Sequence, residues 1–224
     1  MIKAVFFDWG HTLTKEINIC KKMDTLLKPY SLTWEDFYPY WKNFYYLRSK
    51  GNIKNDKEMF WQLKKVLQKR NMPFKKIRDT IILDSHIVPN ENIEVVKEIK
   101  KYYKVGLITN FVYEWVERAL KLDKLNDLFD TVIVSSRVGI RKPNAEIFYV
   151  ALKSLSVKPE EAAFVSDELC DDLISAKGCG IKTIWLDDEA KSKWKERERK
   201  IAKLFRPDAT VKNLAEIISI IKKM

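Results

Sequence analysis

Short apolar runs alternate with helix-like segments at the start of the chain and again from residue 90 onwards. Each run is rich in β-branched and aromatic residues and ends in polar ones, as expected for strands buried on both faces of a parallel sheet. The runs cover 4–9, 104–110, 130–136, 162–167 and 182–187, with a shorter candidate at 208–211. Helical segments lie between them, near 93–103, 113–122, 145–155, 169–177 and 214–223. This alternation predicts an α/β fold with a doubly wound, Rossmann-like parallel sheet and right-handed crossovers.

A different pattern fills residues 15–89, which contain no convincing strand and are helix-like, basic and aromatic. Six aromatic residues recur there at helical spacing, and such a stripe forms core more often than a platform for stacking bases. Pro39 interrupts the stripe, which predicts that the helix starts late or kinks there. We therefore predict an α-helical cap domain over 15–89, inserted into an α/β core of 1–14 and 90–224. The stripe consists of Trp34, Phe37, Tyr38, Trp41, Phe44 and Tyr45.

The composition fits a folded, water-soluble protein, since 46% of the 224 residues are hydrophobic and 33% are charged. No run approaches the roughly 18 apolar residues of a membrane span, and an acid follows the N-terminus too closely for a signal peptide. We therefore expect a cytoplasmic protein without a membrane partner. Three cysteines without metal-site spacing are expected to be free thiols in a reducing compartment. They are Cys20, Cys170 and Cys179.

The formal charge of +11 is unevenly distributed along the chain. Residues 15–89 carry 16 Lys and Arg against 8 Asp and Glu, so most of the excess lies in the predicted cap. A basic surface attracts anionic small molecules or nucleic acid, although lysines also serve solubility alone. Because no nucleic-acid readout motif accompanies the charge, we expect a small anionic substrate and no nucleic-acid partner. With His11 and His86 as the two histidines, a His-rich zinc site is nearly excluded.

Polar side chains cluster where the predicted strands end, and ligands of open α/β sheets bind beyond those ends. Each residue alone is a common turn or surface residue, and their order on successive strands is what points to one shared crevice. The first strand ends at Asp8, with Gly10 and Thr12 next; the second ends at Thr109 and Asn110; Lys142 precedes a helix; the fourth ends at Ser166 and Asp167, with Glu168, Asp171 and Asp172 following.

These residue types suit phosphoryl transfer. Asp8 and Asp167 would repel each other unless a cation lies between them, and carboxylate oxygens are ligands for Mg²⁺. Lys142 and the cation would neutralise the phosphate, while Thr109, Asn110 and nearby backbone N–H groups would hold its non-bridging oxygens. Asp8 would then attack phosphorus and form an acyl phosphate that water hydrolyses.

The ordered set resembles the haloacid dehalogenase superfamily over essentially the whole chain. The resemblance implies a Mg²⁺-dependent hydrolase with an aspartyl-enzyme intermediate, most commonly a phosphatase of small phosphate esters, and a helical cap that closes over the substrate. It implies a metal site of Asp8, the Gly10 carbonyl and Asp167, with Asp172 behind them. The motifs that carry it are DWGHT (8–12), VGLITN (105–110), RKPNAEIF (141–148) and FVSDELCDDLISAKGCG (164–180).

One position departs from the family pattern. The second aspartate of the family's first motif is a general acid/base, and in this chain it is Gly10, which keeps a backbone carbonyl but has no side chain. General acid–base help is worth about 10²–10⁴-fold in rate, so its loss predicts a slow or specialised phosphatase unless another group carries the proton. His11 is the nearest candidate, with an ordinary pKa of about 6.5, but adjacent residues often point in different directions.

Three other functions stay open on the sequence. A 2-haloacid dehalogenase also lacks that aspartate, because a halide leaves without a proton, but it would not need Asp167 as a metal ligand. A carbon–phosphorus hydrolase, whose known motif resembles DWAGT, would need a Schiff-base lysine on the cap, where Lys50, Lys54 and Lys57 are available. The third is a catalytically weak binding or regulatory protein that retains the phosphate pocket.

Overall fold

A parallel sheet organises the chain in the computed structural model, which describes residues 1–15, 19–69, 71–83, 87–187 and 195–224. Within these residues the sheet has six strands in the order β3-β2-β1-β4-β5-β6, and every strand pairing is parallel. The predicted α/β class is therefore confirmed. Of the two histidines, His86 lies outside the described residues. The strands are β1 (Ala4–Phe7), β2 (Lys104–Thr109), β3 (Thr131–Val134), β4 (Ala162–Ser166), β5 (Lys182–Leu186) and β6 (Ala209–Val211).

Helices cover both faces of this sheet and fill the segment between β1 and β2. Short 3-10 and π-type turns complete several of them, notably at Trp9–Leu13 and Leu169–Leu173. No helix in the described part of the chain is long and apolar enough to cross a membrane. The helices are α1 (Cys20–Leu27), α2 (Trp34–Ser49), α3 (Asp56–Leu67), α4 (Phe74–Leu83), α5 (Asn90–Lys100), α6 (Tyr113–Leu122), α7 (Ser135–Val138), α8 (Glu146–Leu155), α9 (Ile174–Gly178), α10 (Lys195–Ala202) and α11 (Ile217–Ile221).

The central strands are buried on both faces, as their continuous apolar runs predict. In β1, Val5 and Phe7 join the larger hydrophobic core, while Ala4 and Phe6 join a second core on the other face. Phe6 pairs in register with Gly106 of β2, where a Cβ atom would lie 2.4 Å from the Phe6 ring. Only a residue without a side chain therefore fits beside Phe6.

Several strands end earlier than the sequence runs predict. The polar residues that close the runs, such as Asp8, Asn110 and Asp167, lie in the loops beyond the strands rather than within the ladder. After β3, Ser135 already begins α7 instead of extending the strand to residue 136. The consequence is functional, because polar side chains at the carboxyl edge are placed where a ligand can meet them.

Helix α2 corrects one interpretation of the sequence. The helix begins at Trp34, before Pro39, so of the late start and the kink that Pro39 predicts, the late start does not occur. Thr33 fixes the start with a capping box, since its Oγ1 accepts from the Asp36 N–H and its own N–H donates to Asp36 Oδ2. Pro39 removes the hydrogen bond to the carbonyl of Glu35, which is an exposed residue that water can hydrate.

The aromatic stripe of α2 forms core, as expected. Phe37, Trp41 and Phe44 are buried, and Trp34 and Tyr45 pack against them, while Tyr38 is the exposed member. Two of these rings reach across to α6: Trp41 and Tyr45 both stack on Trp115, with interplanar angles of 14° and 19°. The stripe therefore holds α2 against α6, and its buried rings are not available to stack on bases.

Polar contacts add to this attachment. Buried Arg48 of α2 donates to Glu114 of α6 at 2.7 Å, and Trp115 donates to Asp56 of α3 at 3.0 Å. The two ends of the segment that contains α1 to α4 meet in an antiparallel bridge, where the Lys15 N–H donates to the Ile87 carbonyl at 2.8 Å. No disulfide joins Cys20, Cys170 and Cys179, all of which lie in the described part of the chain.

Candidate active site

Asp8 follows β1, the strand from which successive strands are added to one side of the sheet and then to the other. Strand β1 is central, with β2 on one side and β4 on the other, and ligands bind at such a switch point. The Asp8 N–H donates to the Val165 carbonyl at 3.0 Å, which continues the β1–β4 ladder by one residue. Asp8 is 8% exposed, so its carboxylate is fixed by the sheet but still reaches the surface of the crevice.

Lys142 joins Asp8 to the acidic cluster after β4. Its Nζ donates to Asp8 Oδ1 at 2.7 Å and to Asp172 Oδ2 at 2.6 Å, and the side chain is 2% exposed. Burial alone would lower the pKa of Lys142, but the charges of Asp172 and Asp8 and the hydrogen bonds to both raise it above its ordinary value. Lys142 therefore stays charged between two carboxylates.

The two carboxylates share one ammonium group, and burial acts on both. Burial and the nearby charge of Asp167 raise the pKa of Asp8, although Lys142 opposes the change. Burial, with Asp8 as a neighbour, also raises the pKa of Asp172 to about 6. The Ser166 hydroxyl donates to Asp172 Oδ2 at 2.6 Å and helps to fix it beside Lys142.

Thr12 and Asp167 tie the loop after β1 to the end of β4. The Thr12 hydroxyl donates to Asp167 Oδ1 at 3.1 Å, and the Asp167 N–H donates back to Thr12 Oγ1 at 3.1 Å. The indole of Trp185 in β5 donates to the Asp167 carbonyl at 3.1 Å. These contacts fix Asp167 near Asp8, close enough for its charge to act on the Asp8 carboxyl.

Asn110 positions the backbone of Lys142. Its Nδ2 donates to the Lys142 carbonyl at 3.0 Å, and its Oδ1 accepts from the Lys142 N–H at 2.9 Å. Both ends of the amide are therefore used on Lys142. Thr109, at the end of β2, is buried beside them. The hydroxyl of Tyr45 in α2 donates to the Asn110 carbonyl at 2.9 Å, so α2 reaches the loop that follows Thr109.

In the loop after Asp8, the residue in the left-handed conformation is His11 and not Gly10. Gly10 has φ −69° and ψ 129°, which any residue adopts, and a Cβ atom there would meet nothing within 4 Å. His11 instead has φ 58°, in the left-handed region, and its N–H donates to Thr14 Oγ1 at 3.2 Å. Glycine at position 10 is therefore required neither by the backbone nor by packing.

Sequence reasoning assigned no role to several residues of this site. Glu168 is partly buried, and burial together with the charges of Asp172 and Asp171 raises its pKa to about 8. Ser166 and Tyr45 also make direct contacts that the linear motifs do not specify. Tyr45 is visible in the sequence as one member of the aromatic stripe. The spacing of the stripe does not show that this ring, rather than another, contacts the loop after β2.

The chemistry of the acidic residues fits a divalent cation. Within the described residues no three His, Cys, Asp or Glu side chains form a ready-made metal cluster. Mg²⁺ does not require one, since it commonly takes one or two carboxylates together with water and phosphate oxygens. The site contains three carboxyl groups, of Asp8, Asp167 and Asp172, against the single positive charge of buried Lys142. In addition, Asp172 Oδ1 is buried without a hydrogen-bond partner. A cation held by Asp8, Asp167 and the Gly10 carbonyl would offset this excess charge.

Comparison with known proteins gives consistent matches. The family model described as haloacid dehalogenase-like hydrolase matches residues 19–186. A glyceraldehyde 3-phosphate phosphatase from Pyrococcus furiosus is 32% identical over 205 residues, which cover 82% of this chain and 80% of that protein. The pyrophosphatase PpaX of Bacillus anthracis is 34% identical over 132 residues, 58% of each chain.

Solved structures share the fold. A 2-haloacid dehalogenase from Pseudomonas syringae pv. Tomato superposes with a TM-score of 0.71 at 19% identity, over 100% of this chain and 99% of that one. An enzyme from Bacteroides thetaiotaomicron, solved with magnesium and inorganic phosphate, has a TM-score of 0.70 at 19% identity and covers 88% of this chain and 99% of that one. At these identities the likeness concerns the fold alone.

Proposed function

The chain belongs to the haloacid dehalogenase-like hydrolases, and we propose that within this family it is a Mg²⁺-dependent phosphatase of small phosphate esters. The observation that carries the proposal is the placement of Lys142 between Asp8 and Asp172, at the strand ends that also present Thr109. A buried carboxylate held by a charged lysine suits a nucleophile that must approach an anionic phosphate.

In the proposed mechanism, Asp8 is the nucleophile: its carboxylate oxygen forms a bond to phosphorus while the bond from phosphorus to the ester oxygen breaks, and the leaving oxygen departs with the electron pair. Lys142 orients Asp8 and neutralises the incoming phosphate, while the hydroxyl of Thr109 and the backbone of Asn110 hold phosphoryl oxygens. A bound Mg²⁺ would supply further positive charge where phosphate and Asp8 meet. Water then hydrolyses the acyl phosphate on Asp8 and regenerates the carboxylate.

Two other observations support a small phosphate substrate. The similarity to a glyceraldehyde 3-phosphate phosphatase extends over four fifths of both chains, and the shorter match is to a pyrophosphatase. The excess of positive charge in residues 15–89 would attract anions toward the crevice. We propose that these residues form a cap that covers the substrate, with Tyr45 as its contact to the loop after Thr109.

The arrangement of lysines disfavours carbon–phosphorus hydrolysis. A Schiff-base lysine needs a desolvated setting that keeps its amine uncharged. Lys54 and Lys57 are exposed to solvent, and Lys50 is partly exposed with its ammonium group 4.6 Å from the centre of the Tyr46 ring, so none of the three lies in a desolvated setting. The buried lysine of the site is Lys142, and its carboxylate partners keep it charged.

A substrate panel tests the proposal. Phosphate release is measured from a set of phosphate esters with Mg²⁺ and with a chelator, and halide release is measured from 2-chloropropionate under both conditions. We expect phosphate release that requires Mg²⁺ and no halide release. Metal-independent halide release would contradict the proposal in favour of a dehalogenase, and phosphate-ester binding without turnover would contradict it in favour of a regulatory protein.

A further inference from the structure

Two cations and a tyrosine lie together where the end of α2 meets the loop before α8. We infer that this cluster, formed by Arg141, Lys50 and Tyr46, binds a second anionic group of the substrate, which is a carboxylate or a further phosphate. The preferred substrates are then phosphate esters whose organic part is itself negatively charged. This inference rests on the proposed phosphatase function and narrows its substrate class.

The side chain of Arg141 lies against α2. Its Cζ is 4.6 Å from the centre of the Tyr46 ring, and one of its terminal nitrogens donates to the Ser49 hydroxyl. Lys50 reaches the same ring, with its Nζ also 4.6 Å from the centre. Two positive charges, one from the end of α2 and one from the loop before α8, therefore meet at a tyrosine that is 44% exposed.

Neither of these charges is neutralised by an acid. Arg141 and Lys50 form no ion pair with a carboxylate in the part of the chain that the structure describes. Arg48, two positions before Lys50, is different because it pairs with Glu114 at 2.7 Å. Arg141 therefore presents a planar guanidinium group of the kind that binds carboxylate and phosphate groups through paired hydrogen bonds.

The cluster lies on the side of the crevice that faces α2. Arg141 directly precedes Lys142, whose Nζ contacts Asp8. Burial raises the pKa of Tyr45, the neighbour of Tyr46 on α2, and the charges of Arg141 and Asp8 both reach it, with opposite effects. Because the sheet and Lys142 lie behind Asp8, a phosphate ester bound there would extend its organic part toward α2 and the cluster.

Tyr46 indicates the sign of the local potential. A hydrogen bond from Lys50 and the charges of Lys50 and Arg141 lower the pKa of its hydroxyl, while the charge of Asp171 acts in the opposite direction. The cations outweigh the nearby acid, so an anion beside Tyr46 is attracted. The tyrosine hydroxyl offers that anion a further hydrogen-bond donor.

The named activities of the two relatives differ in this feature. Glyceraldehyde 3-phosphate has an uncharged organic part, whereas pyrophosphate carries a second phosphate group. Both compounds are phosphates, so the proposed function does not decide between them. The cluster favours the doubly anionic kind for this chain, with the other kind as the poorer substrate.

Two compounds with one carbon skeleton provide the test. Glyceraldehyde 3-phosphate and 3-phosphoglycerate have the same leaving oxygen, and they differ in an aldehyde against a carboxylate. Phosphate release with Mg²⁺ gives kcat and KM for each, and the monophosphate and bisphosphate of propane-1,3-diol repeat the comparison for a second phosphate. For the wild-type protein we expect the doubly anionic member of at least one pair to have the higher kcat/KM, by roughly 10–100-fold and mainly through a lower KM.

Substitutions in the cluster test its role. Arg141→Gln and Lys50→Gln should each lose most of the preference, because KM rises for the doubly anionic compound relative to its partner. Arg141→Lys keeps the charge without the planar donors and should retain part of the preference. The control is Lys65 of α3, which lies 3.9 Å from the centre of the Trp61 ring. Lys65→Gln removes the same charge and should keep the wild-type preference, and thermal unfolding checks that every variant is folded.

Three results would overturn the inference and leave the phosphatase function intact. The first is equal kcat/KM within both pairs for the wild type. The second is a preference that persists in folded Arg141→Gln or, if that variant does not fold, in Lys50→Gln. The third is an equal loss of preference in Lys65→Gln, which would show long-range attraction rather than a binding site. Absence of phosphate release from these four compounds and from the ester panel would instead contradict the proposed function.

Discussion

Lys142 Nζ donates a 2.7 Å hydrogen bond to Asp8 Oδ1 across 134 positions of the sequence. The bond links the loop before α8 to the end of the central strand, and the partner on the other side of the ammonium group is Asp172. One buried lysine therefore holds together the ends of β1 and β4. We propose that this contact also serves the reaction, so both stability and activity must be measured in variants of Lys142.

Lys142→Met should be strongly destabilising. It leaves Asp8 and Asp172 buried without their cation, and we expect the free energy of unfolding at pH 7 to fall by about 3–5 kcal/mol. The loss should be smaller at pH 5, because protonation of the carboxyls removes the uncompensated charge. Urea unfolding at the two pH values measures the difference.

An exposed lysine of α5 provides the control for this experiment. Lys97 pairs with Glu94 at 2.8 Å, and both side chains are more than half exposed. Lys97→Met should change the free energy of unfolding by less than about 0.5 kcal/mol. If the two variants lost the same stability, the buried contact of Lys142 would contribute no more than a surface pair.

Without added metal, the protein should lose stability as the pH rises through neutrality. Burial and neighbouring carboxylates raise the pKa of Asp172 to about 6 and of Glu168 to about 8 in the folded chain. Groups with a raised folded pKa contribute stability that is present below about pH 4 and lost as the pH passes the folded value. Melting temperatures between pH 4 and pH 8.5 measure this slope.

Glu168→Gln identifies the source of the slope, since the amide does not titrate. We expect the variant to keep more of its stability between pH 6 and pH 8.5 than the wild type does, whereas Glu94→Gln on the exposed surface of α5 should leave the slope as it is. Mg²⁺ should raise the melting temperature most at high pH, where the carboxylates are ionised. A wild-type slope in Glu168→Gln would contradict this assignment.

Asn110→Ala should act through Lys142. The substitution removes both hydrogen bonds to the Lys142 backbone, and we expect a loss of about 1–3 kcal/mol in the free energy of unfolding. It should lower kcat more than it raises KM, because the lysine stays charged but is no longer held in place. Asn110→Asp keeps the acceptor for the Lys142 N–H and should recover part of the loss in kcat. A pure rise in KM would show that Asn110 acts in binding instead.

Gly106→Ala should destabilise the sheet by about 1–3 kcal/mol, because the added methyl group would overlap the Phe6 ring. Gly178→Ala is the matched control: a Cβ atom there meets nothing within 4 Å, and alanine favours the end of α9. Urea unfolding of both variants measures the contrast. Equal stabilities would mean that the Phe6 ring moves aside at little cost.

The class of the sheet and the edge that carries the polar residues could be predicted because both depend on local patterns. Continuous apolar runs identify buried strands, and the chain order of a doubly wound sheet places their carboxyl ends together. That is why Asp8, Lys142 and Asp172 could be expected in one crevice from their positions alone.

The partners within the crevice could not be predicted in the same way. The use of the Asn110 amide on Lys142 and the contact of Tyr45 with the Asn110 carbonyl join residues 32 and 65 positions apart, and no spacing rule specifies them. The start of α2 was a different case, since the Thr33–Asp36 capping box is visible in the sequence and outweighs Pro39.

The covalent role of Asp8 is the central claim, and trapping the intermediate tests it most directly. The wild-type protein is mixed with Mg²⁺ and radiolabelled acetyl phosphate, quenched in acid within the first turnover and digested for mass spectrometry. We expect phosphate on the peptide that contains Asp8, and no label and no turnover in Asp8→Asn with its fold intact. Turnover of Asp8→Asn at the wild-type rate, or wild-type product formation without label on Asp8, would contradict the account.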